Sequence, residues 1–123
     1  MLNKIICILI FITLCSGLNA KNTGLIFVSN EKTHDLTVID SETLEVINSI
    51  PTSKRPRDMH FNQDRTLIYV ACGDNDVIDI VDIEKQEVIG SLDTGPSPEA
   101  FMFSPDYNYI YVSNEEDSTL GVL

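Results

Sequence analysis

The sequence predicts an all-β fold, a β-propeller of four-stranded blades, and three observations support this prediction. The first is an ungapped repeat of 42 residues, seen in three tetrapeptides with valine in second place: Phe27–Asn30, Tyr69–Cys72 and Tyr111–Asn114. The second is a series of short segments rich in β-branched and aromatic residues, separated by polar turns. The third is the lack of a sustained 3.6-residue period after the first twenty residues. Four strands in roughly 40–45 residues are typical of one propeller blade.

Each full repeat contains four predicted strands. The first repeat has them at Leu25–Ser29, Leu36–Ile39, Val46–Ile50 and Met59–Phe61. The second repeat has them at Leu67–Ala71, Val77–Val81, Val88–Leu92 and Ala100–Phe103. Counted outward from the propeller axis, Met59–Phe61 is the innermost strand of the next blade. We therefore expect the first blade to lack its own inner strand.

The connections between strands also carry turn signals. Asp40 and Asp82 follow the second strand of their repeats, where a carboxylate can accept backbone N–H groups in an Asx-turn. Pro105 presets the backbone for a type I turn after Phe103. The segments Glu31–Asp35 and Gly73–Asp76 are expected to be polar strand-connecting tips.

The chain of 123 residues contains two full repeats and the start of a third. Propellers typically have ~4–8 blades, and a shorter stack leaves apolar faces and strand edges uncovered. We therefore expect a partial propeller of about two and a half blades. In a closed ring, the C-terminal end of a longer chain would supply the missing inner strand.

Residues 1–20 are predicted to be a signal peptide. Lys4 supplies the positive charge, Ile5–Leu14 the apolar segment, and the small residues before Ala20 a cleavage site. The predicted propeller domain is then 21–123, in the periplasm or secreted, with no membrane insertion after cleavage. A retained N-terminal anchor is one alternative. Lipidation of Cys15 is another, although Leu14 is not the small residue that usually precedes a lipidated cysteine.

Charge and cysteine content exclude several classes of protein. The formal net charge of −11 disfavours nucleic acid and anionic membrane surfaces as partners. After signal cleavage Cys72 is the single cysteine, which excludes an internal disulfide and a multi-cysteine metal site. We expect Cys72 to be a small buried residue and not a reactive thiol, because no cationic neighbour would lower its pKa.

The repeat resembles the YVTN family of β-propeller repeats, named for a Tyr-Val-Thr-Asn strand start. Tyr111–Asn114 and Phe27–Asn30 match this start, whereas Tyr69–Cys72 departs at its last position. The segments Val38–Asp40 and Pro98–Asp106 are similar to the same consensus. The resemblance covers nearly all of the chain after residue 20 and implies a propeller fold.

Four short phrases are similar to exported seven-bladed members associated with catabolism dependent on pyrroloquinoline quinone (PQQ): Val28–Glu31, Arg55–Arg57, Pro96–Glu99 and Val112–Glu115. This resemblance implies a periplasmic accessory protein beside PQQ-dependent alcohol oxidation, with a dehydrogenase or transporter component as a possible partner. It implies no catalytic residues, and the subgroup name alone does not imply that this chain binds PQQ.

Lys54, Arg55 and Arg57 form the one basic cluster of this acidic sequence and are the candidate cofactor-binding residues. They lie before a predicted innermost strand, and therefore near the mouth of the central channel. Three cations there could hold a carboxylate-rich ligand, such as a quinone cofactor, or an acidic partner. The alternative is a solvated loop that balances nearby acids, and the equivalent segment Pro96–Glu99 shows that the repeat does not require this charge.

Other candidate sites have simpler interpretations. Asp74–Asp76 with Asp79 superficially resembles a calcium loop, but it lacks the required glycine and final glutamate. His60 is expected to be packed or hydrogen-bonded in the interior, and His34 to be exposed on a tip. We therefore predict no metal site, and we expect no clustered acid–base pair and no catalytic residues.

These observations lead to one favoured function and two alternatives. The favoured function is a non-catalytic periplasmic binding or scaffold propeller that serves PQQ-dependent alcohol catabolism. A lactonase-like propeller hydrolase is the first alternative. An adhesive or surface-layer propeller is the second, because YVTN repeats also occur in surface-layer proteins.

Overall fold

A computed structural model describes residues 22–123, so the predicted signal peptide lies outside the described residues. The described chain contains ten β-strands and one short 3₁₀ turn, Gly73–Asn75. The strands are β1 (Leu25–Asn30), β2 (Asp35–Asp40), β3 (Val46–Pro51), β4 (Pro56–Phe61), β5 (Leu67–Cys72), β6 (Val77–Asp82), β7 (Glu87–Asp93), β8 (Pro98–Phe103), β9 (Ile110–Asn114) and β10 (Thr119–Val122). Between residues 22 and 123 no helix is long and apolar enough to cross a membrane.

The strands form three antiparallel sheets that we call blades 1, 2 and 3. Blade 1 has the strand order β1-β2-β3, blade 2 the order β4-β5-β6-β7, and blade 3 the order β8-β9-β10. Blade 2 is the complete four-stranded unit, and β4 is its innermost strand. Blade 1 contains no such inner strand in the described part of the chain. The all-β propeller fold and the predicted phase of the repeat are both confirmed.

The inner strands are longer than predicted. Strand β4 begins at Pro56 and β8 begins at Pro98, ahead of the expected starts at Met59 and Ala100. Both prolines are buried. Proline is tolerated at the first residue of an edge strand, because no ladder hydrogen bond needs its missing N–H. The pairing register of both strands also shifts just after these prolines.

Each blade buries one face against each neighbour. We call the face that points to the preceding blade the leading face, and the opposite one the trailing face. Leu36 and Val38 on the trailing face of blade 1 pack with Ile68, Val70 and Val81 on the leading face of blade 2. These side chains are buried and form the larger apolar core.

A second core repeats this arrangement one blade further on. Ala71 and Ile78 on the trailing face of blade 2 pack with Phe101, Ile110 and Val112 on the leading face of blade 3. The alternation of side chains along each strand places one residue set on each face. Blade 2 is therefore the one blade of the described chain that has both faces covered.

With the exception of Asp82, the turns follow the sequence prediction. The Asp40 carboxylate accepts the backbone N–H groups of Glu42 and Thr43 at 2.9 and 2.8 Å. These bonds, that from Thr43 above all, hold the pKa of Asp40 below its usual range. Asp82 instead accepts the N–H of Lys85, three residues on, at 2.9 Å, and not the N–H two residues on that the predicted Asx-turn uses. In the Pro105 turn, the N–H of Tyr107 donates to the carbonyl of Ser104 at 2.9 Å, as in a type I turn.

The repeat also appears in the backbone conformation. Nine non-glycine residues of the described chain have positive φ angles between 54° and 61°. All nine occupy positions related by 42 residues: His34, Asp76 and Ser118; Leu44 and Gln86; Arg55 and Ser97; Arg65 and Tyr107. Side chains are uncommon in this region of φ, so the connections hold the same unusual geometry in successive blades.

One position shows how substitutions within the repeat compensate. A side chain at Gly95 would collide with the amide of Asn114. In the preceding repeat, Ser53 and Cys72 occupy the positions of Gly95 and Asn114. The smaller Cys72 leaves room for the Ser53 side chain, whose hydroxyl donates to Asp79 at 3.0 Å.

Blade packing predicts that the same substitution lowers the free energy of unfolding by different amounts at equivalent repeat positions. Val70 is 0 % exposed, whereas Val28, 42 residues earlier, is 41 % exposed. Val70→Ala should lower the free energy of unfolding by about 2 kcal/mol, because full burial of a valine side chain contributes roughly this amount. Val28→Ala should cost less than about 1 kcal/mol.

Urea unfolding of both variants at low protein concentration measures this difference. Equal costs at the two positions would contradict the assignment of their faces.

Candidate functional site

The basic cluster lies where all three blades meet at one end of the sheets. Arg57 is in β4, and Arg55 immediately precedes this strand. The Nε of Arg57 is 3.1 Å from a carboxylate oxygen of Glu31, which lies in the β1–β2 tip of blade 1. Its Nη1 contacts Glu99 in β8 and lies 3.9 Å from Glu115 in the β9–β10 tip.

Arg55 reaches the same acids and one more. Its guanidinium lies 3.9 Å from Glu31, 3.4 Å from Glu99 and 3.5 Å from Glu115. It also lies 3.6 Å from Asp74 in the β5–β6 tip of its own blade. We call these six residues the rim network: Glu31, Arg55, Arg57, Asp74, Glu99 and Glu115.

The rim network carries two positive and four negative side chains, a formal excess of two negative charges. Lys54 is exposed and makes no ion pair with any residue of the range 22–123. The structure thus brings Arg55 and Arg57 together and leaves Lys54 outside. The two arginines form ion pairs with nearby acids, and less than a third of each arginine side chain is exposed.

An open cavity of about 340 Å³ lies beside the rim network, lined by Arg55, Ser97, Glu115 and Glu116. A ligand carboxylate that entered it would compete with glutamates already placed on the arginines. A cationic group would meet the exposed acids directly. The geometry therefore suits basic groups of a partner better than a carboxylate-rich small molecule.

Two tip residues connect successive blades beside the rim network. His34 was expected to be exposed, but it is half-buried because its Nδ1 accepts the backbone N–H of Arg55 at 3.1 Å. Asp76, 42 residues later, accepts the backbone N–H of Ser97 at 2.9 Å in the same way. These bonds fix the loops that lead into β4 and β8, and they position the arginines.

The side chains of the calcium-like segment are used for such structural bonds. The Asn75 side chain accepts the N–H of Lys54 at 2.6 Å, and Asp76 accepts that of Ser97. Asp79 is buried and accepts the N–H and hydroxyl of Ser53 at 2.7 and 3.0 Å. No group of three or more potential metal-ligating side chains occurs within the described residues.

The expectation that no acid–base pair exists is wrong. Asp58 and His60 both lie in β4, and their Oδ2 and Nε2 atoms are 3.1 Å apart. The same Asp58 oxygen accepts the backbone N–H of Phe101 at 2.9 Å. Residues i and i+2 of a strand share a face, so the spacing Asp-x-His in a predicted strand is the signal that could have identified this pair.

His60 packs and is hydrogen-bonded, as expected, but it does not lie in the interior, because 39 % of its side chain is exposed. Its ring lies edge-on to Phe101 with 4.9 Å between the ring centroids. It borders an open groove of about 310 Å³, whose other walls include Met102, Phe103 and Tyr107. The histidine is therefore hydrogen-bonded on one side and accessible from the groove on the other.

Cys72 is fully buried, as predicted. Burial first, and the nearby carboxylate of Asp79 second, raise the pKa of its thiol to about 12. The thiolate is the nucleophilic form of cysteine, so this thiol is unsuited to catalysis.

Comparison with known proteins shows the fold but no family. No protein-family model and no curated protein matches the chain. Solved structures do match. One is hydrazine synthase of Kuenenia stuttgartiensis, with a TM-score of 0.74 and 24 % identity over 81 % of this chain and 29 % of that one. Another is the dihydro-heme d1 dehydrogenase NirN in complex with DHE, with a TM-score of 0.70 and 23 % identity over 85 % of this chain and 22 % of that one.

These two structures are propeller-type proteins. The chain has the β-propeller fold. A functionally unknown protein from Desulfotomaculum acetoxidans DSM 771 is also similar, with a TM-score of 0.64 and 17 % identity over 82 % of this chain and 38 % of that one. The chain thus spans between about a fifth and two fifths of the length of these structures. At such identities the likeness shows the fold alone.

The rim network predicts that Arg57 and Lys54 contribute differently to the stability of the fold. Arg57→Gln should lower the free energy of unfolding by about 1 kcal/mol, because it leaves the half-buried Glu99 and the exposed Glu31 without this partner. Lys54→Gln should change it by less than about 0.5 kcal/mol. Urea unfolding at ~0.1 and ~1 M salt tests this, and the Arg57 effect should shrink at high salt.

If Lys54→Gln lowered the free energy of unfolding as much as Arg57→Gln, this result would contradict the ion pairs described for the rim network.

Proposed function

We propose that this chain forms part of a non-catalytic binding or scaffold propeller in the periplasm, accessory to PQQ-dependent alcohol catabolism. The predicted signal peptide supports the compartment. The phrases similar to the PQQ-associated subgroup, among them Arg55–Arg57 and Pro96–Glu99, support the process. Both phrases contribute side chains to the rim network.

The observation that carries the proposal is the mixed charge of the rim network at the meeting point of three blades. Glu31, Asp74 and Glu115 each keep about half of their side-chain surface exposed. They surround arginines that are already paired, so basic groups of a partner could bind there without separating existing ion pairs. We therefore favour contact with a dehydrogenase or transporter component over direct PQQ binding at Lys54, Arg55 and Arg57.

A pull-down experiment tests this function by asking whether the tagged protein retains an alcohol-oxidising enzyme. The tagged protein is incubated with periplasmic extract of a bacterium that oxidises alcohol with PQQ. The eluate should contain dye-linked alcohol oxidation that depends on PQQ. The variant Glu31→Gln/Glu115→Gln should retain at least ~10-fold less activity, because it removes two acids from the rim.

The matched control is Glu84→Gln/Glu87→Gln, which makes the same change of charge at the opposite end of blade 2 and should retain the wild-type amount. Fluorescence titration with PQQ alone detects direct cofactor binding. An eluate without activity, together with no binding of PQQ, would rule out the proposed function.

A second candidate function is a lactonase-like hydrolase, and the Asp58–His60 pair beside its open groove favours it. An imidazole held by a carboxylate can act as a general base. Lactone hydrolysis by the purified protein that disappears in both His60→Ala and Asp58→Asn would establish this alternative in place of the scaffold role.

A further inference from the structure

The open groove beside His60 lies between blades 2 and 3. His60 belongs to β4 of blade 2, and its ring packs edge-on against Phe101 of β8 in blade 3. Phe103 of β8 and Tyr107 of the turn after it line the groove from the other side. The groove therefore lies at the junction of two described blades, and not on an end face of the stack.

The inner strands of this repeat do not require the Asp58–His60 pair. Ala100 and Met102 occupy the equivalent positions one repeat later. Strand β8 nevertheless pairs with β9 as β4 pairs with β5. The pair is thus a feature of this groove beyond what the pairing of the strands needs.

Two hydrogen bonds fix the orientation of the His60 ring. Its Nε2 lies 3.1 Å from Oδ2 of Asp58, and the same oxygen accepts the backbone N–H of Phe101 at 2.9 Å. An ionised carboxylate can only accept, so Nε2 of a neutral His60 carries the proton and Nδ1 keeps a lone pair. Nδ1 has no hydrogen-bond partner among residues 22–123, so it is free to accept a hydrogen bond from a ligand.

The other polar content of the groove restricts the chemistry of a ligand. No lysine, arginine, aspartate or glutamate occurs among the lining residues of the described chain. The hydroxyl of Ser104 is already used, because it donates to Asp106 at 2.6 Å and accepts the N–H of Tyr109 at 3.0 Å. The groove thus offers a hydrogen-bond acceptor without a partner for a charge, which favours an uncharged ligand that carries a donor.

Aromatic rings supply most of the remaining surface. The ring centroids of Phe103 and Tyr107 are 5.2 Å apart, and Phe103 also packs edge-on against Tyr69 at 5.0 Å. Tyr107 is 43 % exposed and stands where the preceding repeat has Arg65. Aromatic rings prefer offset-stacked or edge-on partners at such distances, so a planar aromatic ligand would gain these contacts. The volume of about 310 Å³ is at the lower end for small-molecule sites.

We propose that this groove binds a small, uncharged aromatic molecule with a hydroxyl group. The O–H of the ligand donates to Nδ1 of His60, while its ring packs against Phe103 and Tyr107. Asp58 is a positioning residue, because it keeps the imidazole proton on Nε2. The site shares no residue with the rim network and involves binding without hydrolysis, so it depends neither on the proposed scaffold function nor on the lactonase-like alternative.

Two probes with the same ring system test the role of His60. 2-Naphthol carries a hydroxyl donor, whereas 2-methoxynaphthalene carries none. In equilibrium dialysis with the purified protein, 2-naphthol should bind with saturation and at least ~5-fold more tightly than the ether, because a net hydrogen bond contributes roughly 1 kcal/mol. In His60→Phe this preference should disappear, since phenylalanine keeps a ring but has no acceptor.

A pair of tyrosine variants tests the aromatic wall. Tyr107→Asn should weaken the binding of 2-naphthol at least ~5-fold, because it removes a ring that the ligand packs against. Asparagine tolerates the positive φ of 58° at this position. The matched control is Tyr109→Asn, at an exposed tyrosine that does not line the groove, and it should bind like the wild type. Far-ultraviolet circular dichroism of each variant verifies that its β structure is retained.

Three results would overturn the proposal. The first is a wild-type protein that shows no saturable binding of 2-naphthol. The second is equal affinity for the two probes, or a preference for 2-naphthol that persists in His60→Phe, since either would exclude the hydrogen bond to Nδ1. The third is equal binding of 2-naphthol by Tyr107→Asn and Tyr109→Asn, which would place the probe outside this groove.

Discussion

Face-to-face packing of blades at a fixed spacing of 42 residues is the interaction on which the rest of this structure depends. Each sheet has two apolar faces, and one of them covers the next blade while the other covers the preceding one. The equivalents Val28, Val70 and Val112 show this most simply, since the identical residue is buried only where the described chain contains a preceding blade. Each apolar core of the chain therefore lies between two adjacent blades.

The rim network follows from the same constraint. Arg57 and Glu99 occupy the same repeat position on adjacent inner strands, so stacking the blades brings their side chains together. The tip bonds of His34 and Asp76 then hold the connecting loops in one conformation. A charged surface made in this way has little freedom to rearrange, so little conformational entropy would be lost on binding.

The repeat made the fold predictable, because strands, turns and faces recur with it. The partners of Arg55 and Arg57 were not predictable, since the four acids are distributed over three blades and no local pattern joins them. The positive φ angles at residues such as Leu44 and Arg65 gave no signal either, because glycine does not occupy those positions. Strands β4 and β8 begin at Pro56 and Pro98, ahead of the predicted starts at Met59 and Ala100, and proline itself gives no strand signal in the sequence. The Asp58–His60 pair, in contrast, was readable from its spacing.

Native-state hydrogen exchange of the backbone amides tests the central claim most directly. If packing between blades is the main source of stability, the amides of β5 and β6 should exchange most slowly, because blade 2 alone is covered on both faces within the described chain. Those of β1 and β10 should exchange several orders of magnitude faster. Equal protection in all three blades, or greatest protection in blade 1 or blade 3, would contradict this account.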